Sequence, residues 1–242
     1  MRKTVLITGA GSGIGLATAK TFAEHDYHVI LAGKTVEKLE KAKNEIGECA
    51  VAFLWDITKI SQIKSKIQDA ISIFGTLDVV VNNAGCLFMT DRTGDFFHVT
   101  PEEWDGVHTT NLKAMFFICQ AVLEYMVNEG LKGHIVNVCS EMGFRQTYTP
   151  YGISKWGVRG LTYGLGRTFA PYGIVVNGVA PGQTATPIVG YQEGDSPAEE
   201  SIPRGIMATP KEIANLIYFL GSESGNNLMG EIVVSDGGRH LY

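Results

Sequence analysis

Seven short runs rich in apolar and β-branched residues punctuate the chain: TVLIT at 4–8, YHVILA at 27–32, CAVAFLWD at 49–56, LDVVVNN at 77–83, GHIVNVCS at 133–140, GIVVNGVA at 173–180 and EIVVSD at 231–236. Most are apolar at successive positions. A strand with one wet face alternates apolar and polar, whereas a strand covered on both faces does not. Between the runs, apolar residues recur at helical spacing, most clearly over 59–74 and 101–127. Strands buried on both faces and alternating with helices predict a parallel sheet sandwiched between helical layers. Right-handed crossovers then give a doubly wound, Rossmann-type α/β fold of about seven strands. Neither repeat nor linker divides the pattern, so a single domain over 1–242 is expected. One stretch departs from it. Residues 183–209, QTATPIVGYQEGDSPAEESIPRGIMAT, are polar, carry three prolines and are long for a connection inside a compact domain. Such segments are lids or disordered. A lid over about 187–209 is expected, with 187–204 mobile without ligand because little apolar area holds it down.

Composition narrows the function classes. A chain of 242 residues with 45% hydrophobic content can bury one sizeable core. A net charge of −5 offers no basic footprint, so neither nucleic acid nor a membrane is expected as a partner. The opening MRKTVLITGAG starts a strand at once, without a signal-like apolar segment before it. Cys49, Cys86, Cys119 and Cys139 show no C-x-x-C or Cys/His spacing, so no metal is expected. Three of the four sit in or beside apolar runs, as buried small hydrophobes do. A soluble, reduced, cytoplasmic protein follows as the expectation.

The first strand run leads directly into TGAGSGIG at 8–15, followed by the helical pattern IGLATAKTFAEH. The spacing, Gly9-x-x-x-Gly13-x-Gly15, is not G-x-G-x-x-G, since the third glycine of that pattern would fall on Ile14. The physics is the same. Glycines allow a tight turn and a close backbone approach to a pyrophosphate, which rests on the free N–H groups of a helix N-terminus. A ligand-free tight turn is the competing reading.

Further on, Ser140 ends an apolar run and is followed by the pair Tyr151 and Lys155, one helical turn apart. A Tyr-x-x-x-Lys pair alone means little. Its setting means more. TGAGSGIG, NNAG at 82–85, Asn111 in TTNLKAMFF, Ser140 in IVNVCS, YGISK at 151–155 and NGVAPG at 177–182 stand in the order of the classical short-chain dehydrogenase/reductases, and MGEIVVSDGG resembles that family's last strand. The resemblance spans essentially the whole chain. It implies an NAD(P)-dependent oxidoreductase interconverting a small-molecule carbonyl and an alcohol.

The chemistry fits the residue types. Carbonyl reduction needs hydride at carbon and a proton at oxygen. Tyr151 can supply that proton, but an unperturbed phenol has a pKa of about 10. An ammonium at about 4 Å, at an effective dielectric of about 20, favours the phenolate by about 4 kcal/mol, or about three pKa units before desolvation. A helix starting at Pro150 puts Tyr151 and Lys155 on one face. Ser140, at the C-terminal end of its strand, can hydrogen-bond the substrate oxygen. By resemblance, Lys155 also holds the nicotinamide ribose, and Asn111 opens the helix ladder and holds a water. An exposed helix asparagine is the alternative reading of Asn111. Cys139 beside Ser140 should point to the opposite face, into the core.

The resemblance also maps a cofactor: Gly9, Ser12, Gly13, Ile14 and Gly15 at the pyrophosphate, Asp56 and Ile57 near the adenine, Asn83, Ala84 and Gly85 beside the adenosine ribose. Pro181, Gly182, Thr184 and Thr186 would meet the nicotinamide carboxamide. At the end of the second strand, where an acidic residue would bind the ribose of NAD, Gly33 stands instead, with Lys34 next. A cation without a carboxylate favours NADP(H), although Ser12 occupies a position where NADP-using relatives often carry a basic residue. Substrate lining is expected from 141–148, 187–209 and 86–99, and Arg145 either pairs with an acidic substrate or is an exposed loop residue. A 3-oxoacyl-thioester reductase is an alternative, lowered by the length of 86–99 and by Tyr172, where those reductases often carry arginine. A catalytically silent NADP-binding regulatory module is the alternative of another class. Gly152, Gly157, Gly160, Gly164 and Gly166 in one helix cost propensity and imply a close contact. By resemblance that contact is between subunits of a homotetramer, with a dimer as runner-up.

Overall fold

The computed structural model describes residues 2–87, 96–192 and 194–241. Among these, seven strands form one sheet: β1 (Thr4–Thr8), β2 (His28–Gly33), β3 (Ala50–Leu54), β4 (Val79–Asn82), β5 (His134–Val138), β6 (Val175–Pro181) and β7 (Ile232–Ser235). Their order is β3-β2-β1-β4-β5-β6-β7, and every pairing is parallel. The order reverses between β1 and β4. Open α/β sheets bind ligands at such a switch, beyond the carboxyl ends of the strands.

Alternating strand residues feed two cores. Leu6, Ile30, Val80, Ile135 and Val176 pack on one face with α3 (Ile63–Phe74), α5 (Ala114–Asn128) and α6 (Pro150–Phe169), through Ile67, Ile118, Met126 and Val158. Val5, Ile7, Leu31, Val81 and Val179 pack on the other with α1 (Gly13–Glu24), α2 (Val36–Ile46) and α7 (Pro210–Leu220), through Phe22, Leu39, Ile213 and Ile217. Continuous apolar runs are thus read out on both faces, as expected for a doubly wound sheet. The observed strands are mostly shorter than the apolar runs, because the run ends turn into the connecting loops.

Threonine–proline pairs start three helices. Thr100, Thr149 and Thr209 each accept a bond from the N3 amide, at 3.1–3.2 Å, with Pro101, Pro150 and Pro210 at N1 of α4 (Pro101–His108), α6 and α7. At Thr209 the bond is reciprocated by Glu212, a capping box. The helix expected over 101–127 is interrupted by one widened turn, Thr109–Lys113, with i to i+5 bonding.

Cys119 and Cys139 are buried as expected, but Cys49 and Cys86 are only half-buried. They flank β3 and β4 in loops, where chain ends emerge from the core. Among the described residues no helix is long and apolar enough to cross a membrane, and no cluster of histidine, cysteine or carboxylates is arranged to hold a metal.

Candidate active site

The glycine turn lies between the ends of β1 and β4. Gly9 and Gly13 have φ of +70° and +55°, a region L-residues avoid. At Gly15 the demand is space, since a Cβ would lie 2.3 Å from the Gly9 carbonyl oxygen. Ser12 is the extended N-cap of α1, and its side chain makes no capping bond. The first-turn amides, with Ile14 and Gly15 among them, are therefore unclaimed by a capping side chain, as an anion site requires. The turn is stapled to β4. Asn83 Nδ2 donates to the Thr8 and Gly9 carbonyls at 2.9 and 3.3 Å, and Thr8 Oγ1 accepts from the amides of Asn83 and Ala84, both at 3.0 Å. Asn83 thus holds the turn's shape with its side chain, a role its sequence position did not announce.

Further along the same edge, Gly33 ends β2 and Lys34 is exposed beside it. Lys38 of α2 packs its Cβ stem close to Gly11, a proximity with no sequence signal. Beyond β3, burial acts against ionisation of Asp56, but bonds from the Thr58 amide (3.0 Å) and hydroxyl (2.7 Å), with Lys59 and Lys34 nearby, outweigh it and hold the carboxyl below its ordinary range. Ile57 is buried next to it. After β6, Gly182 donates to the Ser235 carbonyl, and Thr184 and Thr186 are buried. The Thr186 methyl lies 3.2 Å from where a Cβ on Gly13 would be, so the segment following Pro181 reaches back to the glycine turn. Free amides, an exposed cation and this closing segment fit a dinucleotide.

The reaction side is built by side chains. Asn111, in the widened turn, is fully buried; its Oδ1 accepts from Cys86 N at 2.8 Å and its Nδ2 donates to Cys86 O at 2.9 Å. Nδ2 also donates to Ser154 Oγ at 3.2 Å, and Ser154 donates to the Tyr151 carbonyl at 2.6 Å. The exposed-asparagine reading is excluded. Gly85 leaves the space where a Cβ would press on Asn111 Oδ1 at 3.2 Å and approach Lys155 Nζ at 3.9 Å. Ser140 opens a short helical turn, Glu141–Gly143, by accepting from Met142 N at 3.2 Å, and its hydroxyl acts on the Tyr151 phenol against the upward push of burial. Cys139 points away, with its Sγ donating to the Lys155 carbonyl at 3.3 Å.

Burial governs the electrostatics of both Tyr151 and Lys155. Burial pushes the Tyr151 phenol up to about 12; the Ser140 hydrogen bond opposes this, and Cys139, Glu141 and Cys86 add to it. The Lys155 ammonium donates to the Val138 carbonyl at 3.0 Å and lies over the phenol ring, 5.6 Å from its centroid. Burial also shifts Lys155 itself downward. The ammonium remains a nearby positive charge on the phenol, and burial opposes ionisation of the phenol more strongly.

Around the reaction side, Glu141 is 4% exposed; its Oε1 accepts from Arg239 Nη1 at 2.8 Å and lies 3.7 Å from Arg145 Nη1. Arg145 is thus partly engaged within the chain. Tyr148 is exposed and meets the Phe96 ring edge-on at 6.2 Å. Of the substrate loop expected over 86–99, residues 88–95 lie outside the described residues. The segment 187–209 is held better than its composition suggested. Ile202 is 3% exposed, Arg204 N donates to Gly237 O, Met207 N to Pro197 O and Ala208 N to Gln183 O. Pro187–Val189 is exposed. One buried isoleucine and these bonds anchor the second half of the segment.

Comparison with known proteins agrees with this architecture. Residues 3–196 match the family model of the short chain dehydrogenases. The 3-oxoacyl-[acyl-carrier-protein] reductase FabG of Thermotoga maritima is 34% identical over 243 residues, covering 98% of this chain and 97% of the relative. A 3-ketoacyl-(acyl-carrier-protein) reductase from Brucella melitensis, solved with NADH, is 29% identical at a TM-score of 0.88, over 98% of each chain. ElxO with NADP bound is 31% identical at a TM-score of 0.89, over 100% of each chain.

Proposed function

The chain belongs to the short-chain dehydrogenase family, and from that premise we propose that it is an NADP(H)-preferring carbonyl reductase in which Tyr151 is the acid and base. Family membership makes it an oxidoreductase interconverting a carbonyl and an alcohol with a nicotinamide cofactor. The observation that carries the residue assignment is the meeting of Asn111, Ser140, Tyr151 and Lys155, drawn from three separate segments, beyond the ends of β4 and β5.

A bound nicotinamide supplies or accepts the hydride. Tyr151 gives its proton to the substrate oxygen, and Ser140 donates a hydrogen bond to the same oxygen as charge develops on it. Burial keeps the phenol protonated near neutrality, which is the form that donates. Lys155 belongs to the ribose side of the site. Its hold on the Val138 carbonyl fixes it on the face of the Tyr151 ring. Asn111 ties the loop after β4 to the start of α6 through Cys86 and Ser154, so the cofactor wall and the acid keep their spacing. Gly9, Ser12, Gly13, Ile14 and Gly15 would hold the pyrophosphate, with Asp56, Ile57, Asn83, Ala84 and Gly85 along the adenosine. Pro181, Gly182, Thr184 and Thr186 would flank the nicotinamide. Exposed Lys34 beside Gly33, without a carboxylate there, supports the phosphorylated cofactor.

A homotetramer in the cytoplasm completes the reading. Gly152, Gly157 and Gly166 are packed within the subunit, but Gly160 and Gly164 have nothing within 4 Å of a Cβ position. Phe116 on α5 and Ile153, Trp156 and Tyr163 on α6 are exposed with them. An apolar face bearing two open glycines supports a helix of another copy coming close. The lid of about 187–209 would close over substrate by its exposed first part, swinging on the anchored second part. Names of relatives such as the Thermotoga maritima reductase favour a second reading, reduction of a 3-oxoacyl thioester.

Steady-state NADPH and NADH oxidation against sugars, polyol-derived ketones, small ketones, steroids and a 3-oxoacyl thioester tests both readings. Turnover with kcat/KM higher for NADPH is expected. Cofactor binding without turnover of any carbonyl would support the silent module instead.

A further inference from the structure

The end of the chain folds back on the loop that carries Ser140. Asp236, buried just after β7, accepts from Gly238 N at 3.0 Å and His240 N at 2.6 Å, with His240 Nδ1 at 2.8 Å. This coil fixes Arg239, whose Nη1 donates to Glu141 Oε1. The His240 ring meets Phe144 at 6.5 Å between centroids. Two consecutive residues of the terminal turn therefore grip the loop on either side of Gly143. Glu141 is unusual on its own terms. It is a buried carboxylate one peptide bond from Ser140, and its Oε2 has no hydrogen-bond partner among the described residues. A charge is tolerated there only while its partner is held in place. Exposed ion pairs contribute little, but here the Glu141 carboxylate is buried and Arg239 is half-buried.

We propose that residues 236–241 are a working part of the site: Arg239 clamps Glu141, and Glu141 positions Ser140 against Tyr151. The inference rests on the reaction proposed above. Glu141 and Arg239 are positioning residues. They act through Ser140, the next residue in the chain, whose hydroxyl accepts from Met142 N at 3.2 Å. The clamp also has an electrostatic consequence. The groups that act electrostatically on the Tyr151 phenol are Ser140, Cys139, Glu141 and Cys86, with Lys155 over the ring. Those facing Glu141 are Arg239, Arg145 and Asp236, the last paired with His240. A negative Glu141 disfavours the phenolate. Alcohol oxidation needs the phenolate as base, so removing that charge moves the acidic limb of the oxidation profile to lower pH.

Wild type and Tyr151→Phe first establish the reaction. Arg239→Lys keeps the charge but loses the planar fork that fits a carboxylate. It should lower kcat by on the order of 10- to 100-fold, the scale of a misplaced reacting group, with the NADPH Kd within a few-fold. Glu141→Gln keeps the shape and an acceptor for Arg239. It should shift the acidic limb of kcat/KM for oxidation to lower pH, again without loss of NADPH binding. If either single variant is unfolded, Glu141→Gln/Arg239→Gln, which leaves no charge buried alone, carries the same readouts. An unmoved limb in Glu141→Gln, or a fall in kcat matched by an equal loss of NADPH affinity, would make the pair a fold-stabilising contact and overturn the proposal. An active wild type with wild-type-like variants overturns the clamp alone; a wild type that reduces no carbonyl compound overturns the reaction and the clamp with it.

Discussion

The two sides of this site are made of different material. At the cofactor side, the backbone does most of the work. Positive φ at Gly9 and Gly13, the open amides of α1 and the missing Cβ of Gly15 define the shape, and Asn83 and Thr8 only brace it. At the reaction side, side chains from distant segments do it: Asn111 on Cys86 and Ser154, Lys155 on Val138, Arg239 on Glu141. A backbone-built site is written in a short local spacing and tolerates little change at its glycines. A side-chain-built site is spread along the chain, and substitutions there should alter rate before they alter binding.

That contrast can be broken at its sharpest point by Tyr151→Phe. The phenyl ring retains its packing and only the proton donor is lost, so kcat should fall by about 10²- to 10⁴-fold while NADPH binding stays within a few-fold. Near-normal turnover would remove tyrosine from the mechanism. On the cofactor side, Gly15→Ala places a methyl 2.3 Å from the Gly9 carbonyl and 2.6 Å from Asn83 Nδ2. Forcing it in should cost about 1–3 kcal/mol of stability and weaken NADPH and NADH alike, read by thermal unfolding and by Kd. Equal Kd values in the variant and wild type would show that the turn does not carry the cofactor.

Lys34→Ala sharpens the comparison within the cofactor side. Loss of one charge-assisted bond should weaken NADPH by about 1.5–3 kcal/mol, or about 10- to 150-fold, and leave NADH nearly unchanged. Gly33 is absent from the positive-φ residues, and a Cβ there would meet only the Leu39 side-chain tip at 3.2 Å. Gly33→Asp should therefore fold and move preference toward NAD. Loss of both cofactors equally in Lys34→Ala would contradict this reading of the β2 end.

The smallest effect belongs to the lid anchor. The Arg204 hydrogen bond, followed by the Thr209 amide, holds Glu212 down to about 2. A depressed carboxylate contributes stability above its ordinary value near 4.5 that is lost as pH falls toward about 2. The pair is largely exposed, so the contribution is small. Hydrogen exchange over 197–209 should quicken between pH 5 and pH 3, relative to a Glu212→Gln control. Identical pH responses in the two proteins would show that the pair anchors nothing.

The same division explains what the sequence made legible. Strands buried on both faces and the Gly9–Gly13–Gly15 spacing are local patterns, and both the sheet and the turn follow from them. Asn111 was legible through its motif, although its partner Cys86 was not. The Glu141–Arg239 pair joins residues 98 positions apart, and no periodicity encodes such a distance. The lid looked unanchored because Ile202, the one buried residue among its described positions, is one apolar position in a polar stretch, seated over Gly237 from the far end of the chain. The turn of Lys155 onto the Val138 carbonyl was hidden for a related reason. Spacing puts Lys155 on the face of Tyr151 but says nothing of a competing main-chain acceptor.

The central claim is that binding and chemistry are separable between these two sides. Single-turnover oxidation of NADPH at saturating cofactor, with a carbonyl substrate that wild type reduces, measures the chemical step alone. Compared across wild type, Lys34→Ala and Tyr151→Phe, the account predicts a Lys34→Ala rate close to wild type and a Tyr151→Phe rate lower by orders of magnitude. A wild-type rate in Tyr151→Phe, or a collapse in Lys34→Ala that saturation does not relieve, would contradict it.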